Sequence, residues 1–318
     1  MKQEAENFYF DTSDGQRIFV KHWHAAGDHA DGTIFIAHGL GETADYYDEF
    51  SDRASALGFD VVIPELRGHG RTAGDVNSAT YSLSGGNPGA NSLHKMAEDL
   101  HVLTDKAEKD NPGKPVFLLG HSMGSVVAQL FAFTYGKQLN GLLLTGVPSV
   151  ENAPDLLKLI DTEISERGRK APCRDTFHAM FDSVNKPFDP VKTELDWITS
   201  DEESIRQSLE LPYTSILFNN EFYRDFLVAL TETAAPDGWN NVPKELPVTL
   251  LCGGSDVMTQ NGKRIIERVT ELRALGIRDV QFNIYPNLRH SILRERGRVE
   301  VMDDILRWIQ LRLKNGKC

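Results

Sequence analysis

The residues best placed to do chemistry are Gly120-His121-Ser122-Met123-Gly124. A serine framed by glycines at this spacing has the G-x-S-x-G pattern of a nucleophile elbow, and its flanks give the pattern weight. Lys114 to Leu119 is a short apolar run that reads as a buried strand, and Ser125 to Phe133 reads as a buried helix. A strand, a tight turn and a helix would lift the Ser122 hydroxyl above a sheet edge. Gly120 and Gly124 would let strand and helix approach without Cβ clashes. The helix would also aim its free N–H groups and positive dipole end at the place where an oxyanion forms. Ser122 is therefore the candidate nucleophile for acyl transfer.

A serine hydroxyl is a weak nucleophile and needs a base, with an acid to orient that base. In open α/β sheets such groups collect beyond the carboxyl ends of strands. Two segments end there. Pro247 to Cys252 runs into Gly253-Gly254-Ser255-Asp256, and Val280 to Tyr285 leads through Pro286-Asn287-Leu288-Arg289 to His290. The chain has ten histidines, so position must choose among them, and the place after the last strand selects His290. The order Ser122, Asp256, His290 is the one this architecture requires. A third strand, Thr33 to Ala37, enters His38-Gly39-Leu40-Gly41-Glu42, a glycine loop able to bring backbone close to a ligand. The expected oxyanion donors are the backbone N–H groups of Leu40 and Met123. His69, in Arg67-Gly68-His69-Gly70, is expected to brace a turn, and His121, beside the nucleophile, to be structural.

The elements that would position these groups alternate along the chain. Residues 8–24 read as a β-hairpin turning at Ser13-Asp14-Gly15. A helix over Tyr46–Leu57 closed by Gly58, a strand over Phe59–Pro64, a polar loop over 71–91 and a helix over Ser92–Asp110 follow. Leu139 to Thr145 is another buried strand. This rhythm predicts an α/β fold with a mostly parallel central sheet covered by helices on both faces. It breaks over residues 149–241, which carry helical stripes and no convincing strand. The stripes are Leu156, Leu157, Ile160 and Ile164; Phe177, Met180, Phe181 and Val184; and Phe222, Phe226, Leu227 and Leu230. The expected organisation is a core over 1–148, a helical lid insertion over 149–241 and the rest of the core over 242–318. A helix over Gly262–Leu275 and an amphipathic helix over Glu300–Leu313 complete it.

On these marks the chain resembles the monoacylglycerol lipase and lysophospholipase group of the α/β-hydrolase superfamily. The shared motifs are His38 to Glu42, Arg67 to Gly70, Gly120 to Gly124, Gly254-Ser255-Asp256, Arg289-His290 and the lid-like Leu195 to Glu202. The resemblance implies a serine hydrolase of lipid monoesters, cytoplasmic or peripheral at a membrane, with no cofactor. Three positions depart from the group's pattern: Glu65 where Asp is frequent, Ser125 where a glycine is frequent, and Ser291 where Glu is common.

Composition narrows the partners. The 318 residues carry a net charge of −12, which excludes a nucleic-acid backbone as ligand and disfavours docking on anionic lipid. The three cysteines, Cys173, Cys252 and Cys318, are too scattered for a disulfide framework or a metal spacing. The polar N-terminus has no signal-peptide core, and no apolar run reaches the ~20 residues of a membrane span. The expected partner is a small acyl ester, with no metal. Rival readings are a short-chain carboxylesterase, thioesterase, amidase or proline-directed peptidase on the same fold, and an inactive hydrolase fold acting as a binding module. Epoxide hydrolases and dehalogenases are disfavoured, because in the resemblance they use Asp where this chain has Ser122.

Overall fold

Alternating residues at the N-terminus pair as a hairpin. In a computed structural model of the chain, β1 (Glu6–Asp11) and β2 (Arg17–Trp23) run antiparallel, with Asp11 opposite Arg17. The structure describes residues 4–27, 29–75, 87–148, 151–211, 214 and 218–315; most of the expected 71–91 loop, Pro212 and Cys318 lie outside them. Six further strands follow: β3 (Gly32–Ala37), β4 (Phe59–Pro64), β5 (Val116–His121), β6 (Gly141–Thr145), β7 (Val248–Gly253) and β8 (Val280–Tyr285). They form one eight-stranded sheet in the order β1-β2-β4-β3-β5-β6-β7-β8. The hairpin joins β4 antiparallel, and the six strands from β4 to β8 in that order are parallel.

Burial on both faces explains why the inner strands are continuous apolar runs rather than alternating ones. Every residue of β3 to β7 is buried. Successive side chains of a strand point to opposite faces, so the sheet divides two cores. Leu118, Leu142 and Leu250 face one core, with residues of α2 (Ser92–Asp110), α3 (Met123–Tyr135) and α9 (Lys263–Ala274). Phe117, Leu119, Leu143 and Leu251 face the other, with residues of α1 (Asp48–Ala56) and α10 (Arg298–Asn315). The single helix expected over Tyr46–Leu57 is divided: a 3-10 turn at Ala44–Tyr47 precedes α1. Tyr47 leaves helical geometry at φ −107° and ψ 10°, and its hydroxyl is drawn to Glu42.

Between β6 and β7 lie α4 (Ala153–Arg167), α5 (Asp175–Phe181), α6 (Glu202–Glu210), α7 (Asn220–Ala234) and α8 (Pro236–Asn240). Among the described residues this segment holds no strand, only an isolated bridge between Pro172 and Asn219. The α7 stripe, Phe222, Phe226, Leu227 and Leu230, is buried and continuous with the core of α2 and α3. Leu156 and Ile160 of α4 join the same core. Phe177 does not follow its stripe; it stays exposed beside Phe181 and Tyr223. Among the described residues no helix is long and apolar enough to cross a membrane.

Candidate active site

The end of β5 presents Ser122 in a conformation that L-residues avoid, φ 51° and ψ −120°. Such a backbone costs on the order of 1–3 kcal/mol and persists only where its surroundings fix it. Here the Ser122 N–H donates to the Thr145 carbonyl on β6 at 2.9 Å, and the Ser122 carbonyl accepts from Ser125 N–H at 2.8 Å. The Ser125 hydroxyl, at the position where a glycine was the frequent residue, donates to the same carbonyl at 2.6 Å. The glycines are sterically required. A Cβ on Gly120 would stand 2.7 Å from Ala128 Cβ, and one on Gly124 would overlap the Ala37 carbonyl. Ser122 is partly exposed between buried neighbours.

Strands β7 and β8 bring the other two candidates to it. His290 Nε2 lies 2.9 Å from Ser122 Oγ, and His290 Nδ1 lies 3.0 Å from Asp256 Oδ1. Asp256 and His290 are buried. The same Asp256 oxygen accepts Met258 N–H at 2.9 Å, while Oδ2 is buried without a hydrogen bond among the described residues. Two more glycines make room. A Cβ on Gly253 would overlap the carbonyls of Leu288 and Arg289. Gly146, at φ 57°, faces His290: a Cβ there would lie 3.0 Å from His290 Cε1 and 3.1 Å from His121 Cε1.

Met123 is the first residue of α3, so its N–H has no partner inside the helix. Among the described residues neither it nor the Leu40 N–H enters a backbone hydrogen bond. The Leu40 loop is pinned on both sides. Glu42 accepts Gly39 N–H at 2.8 Å and the Tyr47 hydroxyl at 2.7 Å. His38 Nε2 accepts Leu66 N–H at 2.9 Å, which leaves Nδ1 to donate to the Gly39 carbonyl at 2.8 Å. Burial opposes the Glu42 carboxylate, but His121, Arg294, the Tyr47 hydroxyl and Gly39 N–H outweigh it and hold its pKa low.

His121, the last residue of β5, and His69, in the turn after β4, are both buried. His121 reaches Thr145 Oγ1 at 2.9 Å and Ser291 Oγ at 3.0 Å, and burial pushes its pKa down to about 4. Ser291 thus holds the histidine next to the elbow. His69 Nδ1 lies 3.0 Å from the Arg67 carbonyl, and burial, with His38 beside it, lowers its pKa to about 3. Arg67 spans Asp99 and Asp14, tying α2 to the first hairpin. Glu65, buried, accepts from Thr43 Oγ1 at 2.6 Å and pairs with Arg71 at 2.5 Å.

Sequence reasoning missed what braces His290. The Trp197 ring lies 4.9 Å from the His290 ring, and Ser291 N–H donates to the Ile198 carbonyl at 2.8 Å. Buried Glu295 accepts Ser200 Oγ at 2.6 Å, Ser200 N–H at 3.0 Å and Arg289 N–H at 2.9 Å. The only signal was Leu195 to Glu202 as a motif without an assigned contact. On the insertion side, Leu156, Met180, Phe226, Leu227 and Leu230, with Pro148 and Met258, line a cavity of about 60 Å³. A residue of each of the three apolar stripes lines it, and Ser122, Asp256 and His290 are not among its lining residues.

An eight-stranded sheet of this order, with a strained serine after β5, defines a class, the α/β-hydrolases. The family model described as serine aminopeptidase, S33, matches residues 28–297. The mouse monoglyceride lipase is 25% identical over 305 residues, 95% of this chain and 89% of that protein. The human monoglyceride lipase is 32% identical over 133 residues, 42% of this chain and 40% of that protein. The crystal structure of a thermostable carboxyl esterase from Bacillus coagulans in complex with glycerol superposes with a TM-score of 0.88 at 25% identity, covering 98% of this chain and 99% of that one. The chain belongs to the serine aminopeptidase S33 family and is a serine ester hydrolase, similar to the monoacylglycerol lipase group.

Proposed function

We propose that this enzyme cleaves carboxylic esters of monoacyl lipids through an acyl-enzyme on Ser122. The observation that carries the chemistry is the unbroken relay from Ser122 Oγ to His290 Nε2, at 2.9 Å, and from His290 Nδ1 to Asp256, at 3.0 Å. Asp256 keeps the Nδ1 proton in place, so Nε2 presents its lone pair to the serine. As Oγ attacks the ester carbonyl, its proton moves to Nε2. The developing oxyanion is taken by the N–H groups of Leu40 and Met123. His290 then gives its proton to the leaving alcohol, and water repeats the sequence to release the acid. No cofactor enters this scheme.

The substrate class rests on two supports. Monoglyceride lipases are among the relatives that span or partly span the chain, and the apolar stripes of residues 149–241 meet at one cavity that Met258 also lines. We place residues 149–241 as the cover under which the acyl chain lies, and the enzyme as a cytoplasmic or membrane-peripheral one. A second reading, a short-chain carboxylesterase, is favoured by one observation. The cavity where the stripes meet, of about 60 Å³, is well below the ~150 Å³ that admits a benzene molecule, so a long chain lying there needs the cover to shift. A series of esters from acetate to palmitate, each assayed below its micelle concentration, separates the two. For a monoacyl lipid enzyme, kcat/KM climbs with chain length, up to about fourfold per methylene, since each buried CH2 contributes ~0.8 kcal/mol. A steady decline beyond butyrate establishes the short-chain reading. Ser122→Ala, run beside it, should retain less than about a hundredth of wild-type turnover; more than that removes Ser122 as nucleophile.

A further inference from the structure

A second cluster of chemically competent side chains lies away from the serine. His22 lies in β2 and His24 immediately follows it, the two rings side by side, and Glu6 is directly opposite His22 in the β1–β2 ladder. One nitrogen or oxygen of each of the three lies within 4.8 Å of the others. The His24 Nε2 to Glu6 Oε2 distance is 2.9 Å, and the two imidazole rings are 4.0 Å apart. Tetrahedral zinc with bonds of ~2.0–2.2 Å spaces its ligand atoms by roughly 3.3 Å. Small side-chain rotations therefore suffice to close the set.

Two further observations separate this cluster from an ordinary surface ion pair. His22 Nε2 is buried and makes no hydrogen bond among the described residues; it faces the Asp60 carboxylate on β4, with Oδ2 at 3.7 Å, which is itself fixed by Ala25 N–H at 2.8 Å. With Nε2 turned to Asp60, Nδ1 is the His22 nitrogen left to take a metal. Metal-bound histidines characteristically have such a carboxylate at their back, where it orients the ring. Two imidazole nitrogens and one carboxylate oxygen form a borderline donor set, suited to zinc and unsuited to magnesium or calcium.

We propose that Glu6, His22 and His24 bind a zinc ion. Cysteine spacing suggested no metal; these ligands come instead from a strand pair. The role is structural. Trp23 pairs with Val61 while Val20 pairs with Pro64, so His22 and His24 lie toward the N-terminal end of β4. Ser122 follows the C-terminal end of β5, the opposite end of the sheet. The ion would clamp the outermost strand, β1, to β2, and stabilise the folded chain by mass action.

The test uses the full-length chain, free of any tag and stripped with chelator. Zinc is titrated by calorimetry, melting is followed with zinc or magnesium, and cobalt is added to read the visible absorption of bound metal. The expected result is one saturable equivalent of zinc, a raised melting temperature with zinc but not magnesium, and cobalt bands. His22→Ala, His24→Ala and Glu6→Gln should each weaken binding at least tenfold, and Asp60→Asn about tenfold. The metal-free melting temperatures of the exposed-site variants, His24→Ala and Glu6→Gln, should not change. No saturable binding, an equal response to magnesium, or zinc affinity unaltered in His22→Ala/His24→Ala overturns the proposal.

Discussion

Gly146 bears on the chemistry proposed for Ser122 and His290 although it has no side chain to contribute. Its φ of 57° belongs to the left-handed region, which costs an alanine roughly 1–2 kcal/mol. The space where its Cβ would go is taken by the rings of His290 and His121. Gly146→Ala must therefore displace an imidazole by a few tenths of an ångström or shift β6 away. Small misplacements in a reacting constellation are expensive, so kcat should fall about ten- to a hundredfold. Substrate binding away from the histidine should hardly change, leaving KM close to wild type. Steady-state kinetics on one soluble ester would show this split. A variant with unaltered kcat would mean that His290 has slack in its seat. The positions that depart from the resembled group's pattern are also readable residue by residue. Ser125 secures the serine carbonyl, Ser291 holds His121, and Glu65 ties Thr43 to Arg71.

Among the elements, the segment between α5 and α6 controls the loop after β8. Trp197 covers the His290 ring, and Ser200 and Arg289 converge on Glu295. Trp197→Ala should lower kcat at least several-fold, because the imidazole loses the wall that limits its rotation and admits water to the site. The chain should remain folded, since Trp197 is only partly buried. Circular dichroism and kinetics together check this, and an unchanged kcat would make the segment a mere connector. How these elements could be foreseen differs by kind. Strands β3 to β7 were legible because burial on both faces leaves an apolar run bounded by turn residues, and the positions of Asp256 and His290 followed from counting such strands. The Trp197–His290 contact was not, because a periodic pattern reports which face is apolar and not what packs on it. The same limit explains Phe177, which fits a helical stripe and yet stays exposed, and α7, whose stripe joins the core of α2 and α3. The break at Tyr47 between the 3-10 turn and α1 goes with its hydroxyl reaching Glu42, a tertiary contact that local propensity does not encode.

For the molecule as a whole, buried neutral histidines set a direction for its response to acid. The folded pKa is about 4 for His121 and about 3 for His69, against a usual value near 6.5. Both are depressed, so the unfolded chain binds protons first. Their stabilisation is complete above pH 6.5 and drains away as pH falls toward 4 and then 3. The melting temperature should start to drop between pH 6.5 and 5, where carboxylates of ordinary pKa are still ionised and the histidines can be read separately. Scanning calorimetry over that range is the check, and a flat profile would contradict the burial argument. Chain order has a further consequence at this scale. β6 and β7 are neighbours in the sheet, yet the segment between them can be interrupted at an exposed turn, Pro190-Val191. A cut there leaves Ser122 on one piece and Asp256 with His290 on the other, while α7 of the second piece still has α2 and α3 of the first to pack against. Residues 1–190 and 191–318, expressed as separate polypeptides, should each be inert and should recover ester cleavage when refolded together. The enzyme would then serve as a split reporter, its catalytic signal switched on by whatever brings two fused proteins into contact.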